Sequence, residues 1–128
     1  MAHYARVNSE NIVTFVTPIP NEMIVDENGV EHEERALNHL YSSIPDSIGD
    51  RWIQTSYNNN FRNKYACIGD YYDEIYDAFI TPPLYESFVF NATTLSWEPP
   101  IPYPGDPEGI EMYRWDESIL SWVEIPME

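Results

Sequence analysis

Three segments in the C-terminal half of the chain share one pattern, and it constrains the fold more than any other feature. They are Tyr72-Asp73-Glu74-Ile75-Tyr76-Asp77-Ala78-Phe79, Phe90-Asn91-Ala92-Thr93-Thr94-Leu95-Ser96-Trp97 and Trp115-Asp116-Glu117-Ser118-Ile119-Leu120-Ser121-Trp122. Each opens on an aromatic residue followed by Asp or Asn. Each closes on Ala or Ser followed by a second aromatic, seven positions after the first. A β-hairpin satisfies this spacing. The two aromatics pair across the strands, the next pairs inward are 73 with 78, 91 with 96 and 116 with 121, and the residues between form a tight turn. Asp or Asn at the turn entrance accepts backbone N–H bonds in an Asx-turn. The small residue opposite leaves room for that side chain. A cross-strand aromatic pair contributes roughly 0.2–1 kcal/mol over an Ala pair. Alternation extends the faces, Phe88 with Phe90 and Tyr113 with Trp115. Between the hairpins lie Thr81-Pro82-Pro83 and Pro99-Pro100-Ile101-Pro102-Tyr103-Pro104. These are stiff, extended spacers that cannot join a central sheet.

The first half reads differently. Residues 3–19 predict a hairpin in which Tyr4, Val7, Ile12, Val13, Phe15 and Val16 flank the turn residues Asn8-Ser9-Glu10-Asn11. Pro18 and Pro20 end its second strand or hold it at an edge. Asp26-Glu27-Asn28-Gly29 is another turn. A helix is expected over 31–44, because Ala36, Leu37, Leu40, Tyr41 and Ile44 form one apolar stripe. Glu31, Glu33 and Glu34 in its first turn suit the helix dipole, and Pro45 ends it. Residues 51–57 read as a strand and Asn58-Asn59-Asn60 as a polar loop. The expected class is therefore α+β, mainly β: an N-terminal hairpin and one amphipathic helix, then successive antiparallel aromatic hairpins on Pro-rich linkers. The expected division is 1–64 and 65–128, or one continuous domain.

Charge narrows the partners. The 128 residues carry 22 acidic and 6 basic side chains, a formal net charge of −16. Residues 1–64 hold 9 acids against 5 bases, and residues 65–128 hold 13 against 1. Such a chain lacks the basic footprint that nucleic acid requires and is repelled by anionic membranes. It favours solubility or a basic partner. An aromatic content of 15% separates it from disordered acidic tails. The lone cysteine, Cys67, excludes an internal disulfide and a Cys-based zinc cluster. In an apolar strand context with no nearby His, it is expected to be a buried structural thiol. No apolar run reaches membrane-spanning length, and the N-terminus lacks a signal peptide's apolar core. Synthesis in a cytosol is expected, and with it a chance origin for the sequon Asn91-Ala92-Thr93.

The residues offer little for catalysis. Asp73-Glu74 and Asp116-Glu117 could serve as acid and base, but they sit in the repeated turns, and the middle copy has Asn91-Ala92 instead. His32 and His39 lie two turns apart on the expected helix, roughly 10 Å, too far for one metal without other ligands. They are read as solvated helix histidines. Asp26, Asn28 and Glu31 have the look of part of a calcium loop, but the sixth position is Glu31 instead of Gly and the twelfth is Leu37. Phosphate-binding glycine loops, nucleophile elbows and dinucleotide fingerprints are absent. No enzyme activity, cofactor or resident metal is expected.

A resemblance adds context. The block Trp52-Ile53-Gln54-Thr55-Ser56-Tyr57-Asn58, with Phe61-Arg62, Lys64-Tyr65-Ala66-Cys67-Ile68-Gly69, Tyr72-Asp73 and Asp77-Ala78-Phe79-Ile80, resembles a family of small proteins of marine bacteriophages, many of which infect cyanobacteria. Phe90-Asn91, Trp97-Glu98-Pro99-Pro100, Tyr103-Pro104, Trp115-Asp116 and Trp122-Val123-Glu124 extend the likeness over nearly the whole chain, as do Met1-Ala2-His3 at its start. The chain departs from the family at Ser87-Phe88, where members often carry Ser-Trp. The resemblance implies a non-enzymatic part of the phage particle, made in the host cytoplasm and carried in the virion. Its partners would be capsid or tail proteins, with homo-oligomeric or multi-copy assembly compatible and neither nucleic acid nor membrane contacted. Tyr72, Phe79, Phe90, Trp97, Tyr103, Trp115 and Trp122 are the candidate partner-binding residues. A tail-fibre assembly chaperone and a host-glycan-binding module are the alternative expectations.

Overall fold

The computed structural model describes residues 2–105, 108–109 and 111–126. It is mostly β, with one helix and a run of antiparallel hairpins. The chain divides into two compact units at the Pro82–Pro83 bond.

In the first unit, β1 (Ala2–Val7) and β2 (Val13–Ile19) form the expected hairpin. Asn8 accepts the N–H groups of Glu10 and Ile12 at 2.9 and 3.0 Å, and Asn11 takes a left-handed φ of 65° to close the turn. β3 (Arg51–Thr55) pairs antiparallel with the other side of β1, giving the order β2-β1-β3. The central strand is thus hydrogen-bonded along both edges. Ala2 and Tyr4 face one side, and Ala5 and Val7 face the other. A bulge opposite Arg6 and Val7 shifts the alternation of β2. Val13 and Val16, three residues apart, consequently face the same side as Ala5.

Helix α1 (Glu33–Ser43) covers the Tyr4 face. Ala36 and Leu40 are buried there with Ile19, Ile24 and Trp52, and Leu37, Tyr41 and Ile44 complete the stripe. Each fully buried aliphatic side chain contributes about 1.5–3 kcal/mol. The helix starts two residues later than the pattern suggested. His32 is its N-cap residue, and its ring nitrogen lies 2.7 Å from an Asp26 carboxylate oxygen. His32 is therefore tied to the preceding turn, which corrects the reading of it as a free helix histidine. A 3-10 turn at Pro45–Ser47 follows. Ser47 is buried and accepts the Trp52 indole N–H at 3.0 Å.

The opposite face of the sheet is covered by the first aromatic hairpin, β4 (Tyr71–Asp73) and β5 (Ala78–Ile80). Phe79 is buried there among Ala5, Val7, Val13 and Ala66. The hairpin is anchored at the start of β2 through a bridge between Ile12, just before that strand, and Tyr71. The loop before it clamps it further. Phe79 donates its N–H to the Arg62 carbonyl at 3.1 Å, and its own carbonyl accepts from the Asn63 amide at 2.9 Å. Asp70 is buried and accepts from Lys64 at 2.8 Å and from the Cys67 N–H at 2.9 Å.

Two expectations change here. The boundary expected at 64/65 lies at 82/83, because the first hairpin supplies core to the N-terminal sheet. With that boundary, residues 1–82 hold 13 acids against 5 bases and residues 83–128 hold 9 against 1, so each unit carries −8. Cys67 is exposed, not buried. The turn that bonds its N–H to Asp70 points Ala66 inward instead.

The second unit holds two hairpins, β6 (Val89–Asn91) with β7 (Ser96–Glu98), and β8 (Tyr113–Asp116) with β9 (Ser121–Glu124). Their registers are those the repeat requires. Phe90 opposes Trp97 and Asn91 opposes Ser96; Trp115 opposes Trp122 and Asp116 opposes Ser121.

Candidate functional site

The repeated turns are built alike. The Asp73 carboxylate accepts the N–H groups of Ile75 and Tyr76 at 2.9 and 3.1 Å. Asn91 does the same for Thr93 and Thr94 at 2.9 and 3.2 Å, and Asp116 accepts the Ser118 N–H at 3.0 Å. Four residues after each lies a non-glycine residue in the left-handed region: Asp77 at φ 50°, Leu95 at 54° and Leu120 at 51°. Asp73 and Asp116 thus hold the turn backbone, as Asn91 does in the middle copy.

The aromatic rings meet as the spacing implies. Tyr72 and Phe79 are 5.5 Å apart between ring centres, Phe90 and Trp97 are 5.3 Å, and Trp115 and Trp122 are 5.4 Å. All are tilted or edge-on, the favoured geometry for aromatic pairs. Their surroundings differ. Phe79 is 0% exposed, so it is core and cannot meet a partner. Tyr72 packs partly buried on the same core, and its hydroxyl donates to Asp77. That bond and the Arg62 guanidinium at 2.9 Å hold the Asp77 carboxyl below its ordinary range. Phe79 therefore leaves the list of partner-binding candidates, whereas Tyr72 keeps part of its surface exposed.

The other five candidates belong to the second unit. Phe90, Trp97, Trp115 and Trp122 are half-buried, and Tyr103 is 51% exposed. Around β8 and β9 the rings form a chain: Tyr85 against Phe88, Phe88 against Trp115, Trp115 against Trp122, and Trp122 against Tyr103 at 5.0 Å. Tyr103 also meets Tyr113 edge-on and accepts the Tyr113 N–H at 3.1 Å. The Pro-rich segment lies against this hairpin, where the Trp122 indole N–H donates to the Ile101 carbonyl at 2.8 Å. On the other flank Glu117 accepts from the Ser87 hydroxyl at 2.6 Å, the Ser87 N–H at 3.1 Å and the Trp115 indole at 2.8 Å. Those donors hold its carboxyl below the usual range.

The second unit has no fully buried residue among those described. It exposes Leu84, Tyr85, Val89, Tyr103, Ile119 and Leu120 beside its half-buried rings. The bridging role of Tyr85, Phe88 and Glu117 does not follow from the pattern of the three repeats. A Tyr five residues past the end of the preceding hairpin, at 85 and again at 103, was the available signal. Nor does the sequence pattern mark a surface cluster in the first unit, where His3, Tyr57 and Tyr65 pack with ring centres 5.3–5.5 Å apart.

Among the described residues no group of three His, Cys, Asp or Glu side chains is placed to hold a metal. Asp26, the start of the calcium-like segment, instead spends its oxygens on the N–H groups of Asn28 and Val30 and on His32. No helix among the described residues is long and apolar enough to cross a membrane. The chain matches no protein-family model, no curated protein and no solved structure.

Proposed function

We propose that the chain is a non-enzymatic structural component of a bacteriophage particle, attached to capsid or tail proteins through the aromatic hairpins of its second unit. One observation carries this reading. The second unit has a dense aromatic framework but no fully buried residue among those described. Two-stranded hairpins are marginal in water and need a further layer to complete a core. A larger protein surface would supply that layer. Phe90, Trp97, Tyr103, Trp115 and Trp122 would be the contacts, because rigid aromatics dominate interface energetics. The unit's charge of −8 favours a basic surface on the partner. The phage setting comes from the family resemblance.

Mass spectrometry of purified particles tests the location. The chain should be present at a fixed ratio to the major capsid or tail protein. Its absence from intact particles, with presence in the infected-cell lysate, would refute a structural role and favour the assembly-chaperone alternative.

A further inference from the structure

The first unit carries a free strand edge at the bottom of a cleft. Its exposure follows from the hydrogen-bond parity of the sheet. Val13 donates its N–H to the Asp70 carbonyl at 2.8 Å and accepts from the Gly69 N–H at 2.9 Å, so its backbone faces away from β1. Val7, opposite Val13, therefore directs its own backbone groups toward β3. By alternation Ala5 and His3 do the same, and their partners Arg51, Ile53 and Thr55 use the inner side of β3. Trp52 and Gln54 are left pointing outward. The Gln54 carbonyl accepts from the Arg62 guanidinium at 3.0 Å. The Trp52 N–H, the Trp52 carbonyl and the Gln54 N–H have no hydrogen-bond partner among the described residues. The free stretch is bounded at both ends, where Tyr41 donates to the Asp50 carbonyl at 2.7 Å and Asn59 donates to the Ser56 carbonyl at 3.0 Å.

Residues 51–54 line a cleft of about 390 Å³. Glu33, Leu37 and Tyr41 of α1 form one wall, and Arg62 and Tyr72 form the other. Free backbone groups along an edge strand are a template for pairing, and an added strand would satisfy them. We infer that this edge binds an extended, basic segment of a partner protein by strand addition. The segment pairs with Trp52 and Gln54. Its residue opposite Trp52 shares the Trp52 face of the sheet, so an aliphatic side chain there meets Leu37 and Tyr41. The basic preference comes from charge. Arg51 and Arg62 are paired with Glu74 and Asp77 at 3.1 and 2.9 Å, and Glu33 adds a third carboxylate against two guanidiniums. The net charge of −16 acts in the same direction.

The probe is an acetylated, amidated heptapeptide, Lys-Lys-Thr-Val-Thr-Lys-Lys, titrated into the full-length ¹⁵N-labelled protein. The amides of Trp52 and Gln54 should shift most. Methylating the valine nitrogen removes its bond to the Trp52 carbonyl and should weaken binding about tenfold. Replacing the lysines by glutamates should weaken it at least as much at low salt. Gln54→Pro removes an N–H that the fold does not use and should abolish binding with the circular dichroism spectrum unchanged. Absence of binding at millimolar peptide, equal affinity of the N-methylated peptide, equal affinity of the glutamate peptide, or shifts centred elsewhere would each overturn the inference. If Gln54→Pro does not fold, the N-methylated peptide still decides.

Discussion

Phe79→Ala is the substitution that tests the architecture most directly. Phe79, Trp97 and Trp122 hold the same position in the three-fold repeat, but only Phe79 is fully buried. Its ring packs among Ala5, Val7, Val13 and Ala66 and lies 5.5 Å from the Tyr72 ring. The bonds from its backbone to Arg62 and Asn63 use no ring atom, so the substitution deletes packing and leaves the clamp available. Several of the neighbours are small, and alanines cannot swing into the void. Phe-to-Ala changes in such sites cost about 3–5 kcal/mol. A unit of this size is stable by roughly 4–12 kcal/mol at about 0.05–0.15 kcal/mol per residue, so the loss takes a large share. Urea unfolding read by hydrogen exchange at β1 amides isolates the first unit from the second. The midpoint should fall steeply, and a thermal scan should drop by about 12 °C or more. Trp97→Ala, at the half-exposed equivalent, should leave the β1 amides unaffected. A Phe79→Ala loss under about 1 kcal/mol, or an equal effect of Trp97→Ala on β1, would refute the assignment of the first hairpin to the N-terminal core.

Three further outcomes follow from local geometry. Leu120 sits at φ 51° and is 52% exposed, so Leu120→Asn should stabilise the second unit by about 0.5–1 kcal/mol in a thermal melt, since Asn tolerates the left-handed region. Asp26 is held down to about 2 by His32 and then by the Val30 and Asn28 N–H groups, below an ordinary 3.8. A depressed carboxyl stabilises the fold above its unfolded pKa, so this contribution is intact above pH 4 and lost as pH falls through about 2. Urea midpoints between pH 5 and 2 should fall less for Asp26→Asn than for the parent. Cys67 is exposed and should react with a thiol reagent in the native protein as fast as in urea; slow native labelling would contradict its placement.

What was legible in the sequence is what is encoded within a few residues. The three hairpins have the registers that their spacing dictates, because an Asx-turn and a cross-strand pair close inside eight positions. The helical stripe of Ala36, Leu37 and Leu40 needs only the helical period. The fate of each hairpin depends on distant partners and was not legible. Phe79 is buried because Arg62 and Asn63, at φ 55° and 75°, turn the preceding loop onto it. Arg62 does not announce a left-handed conformation, and Asn63, whose type tolerates one, sits among other asparagines that give no hint of which will adopt it. The pairing of His32 with Asp26 was equally hidden, since it needs the turn to fold back onto the helix start.

The contrast between the units bears on the functional reading. One local code produces the same hairpin three times, and a hairpin has two faces to cover. The first copy finds a sheet and a clamping loop, so its aromatics become core. The later copies find a proline segment and a few bridging rings, which cover the Trp115–Trp122 hairpin only in part. Their prolines cannot supply the missing layer as a strand, since Pro has no N–H to donate. Apolar area left uncovered has a cost in water unless something else covers it. Leu84 and Val89 are exposed there, and Tyr103 is half-exposed although it packs on Trp122 and Tyr113. Such apolar area beside an acidic surface is the feature on which the proposed docking of the second unit to a basic partner rests.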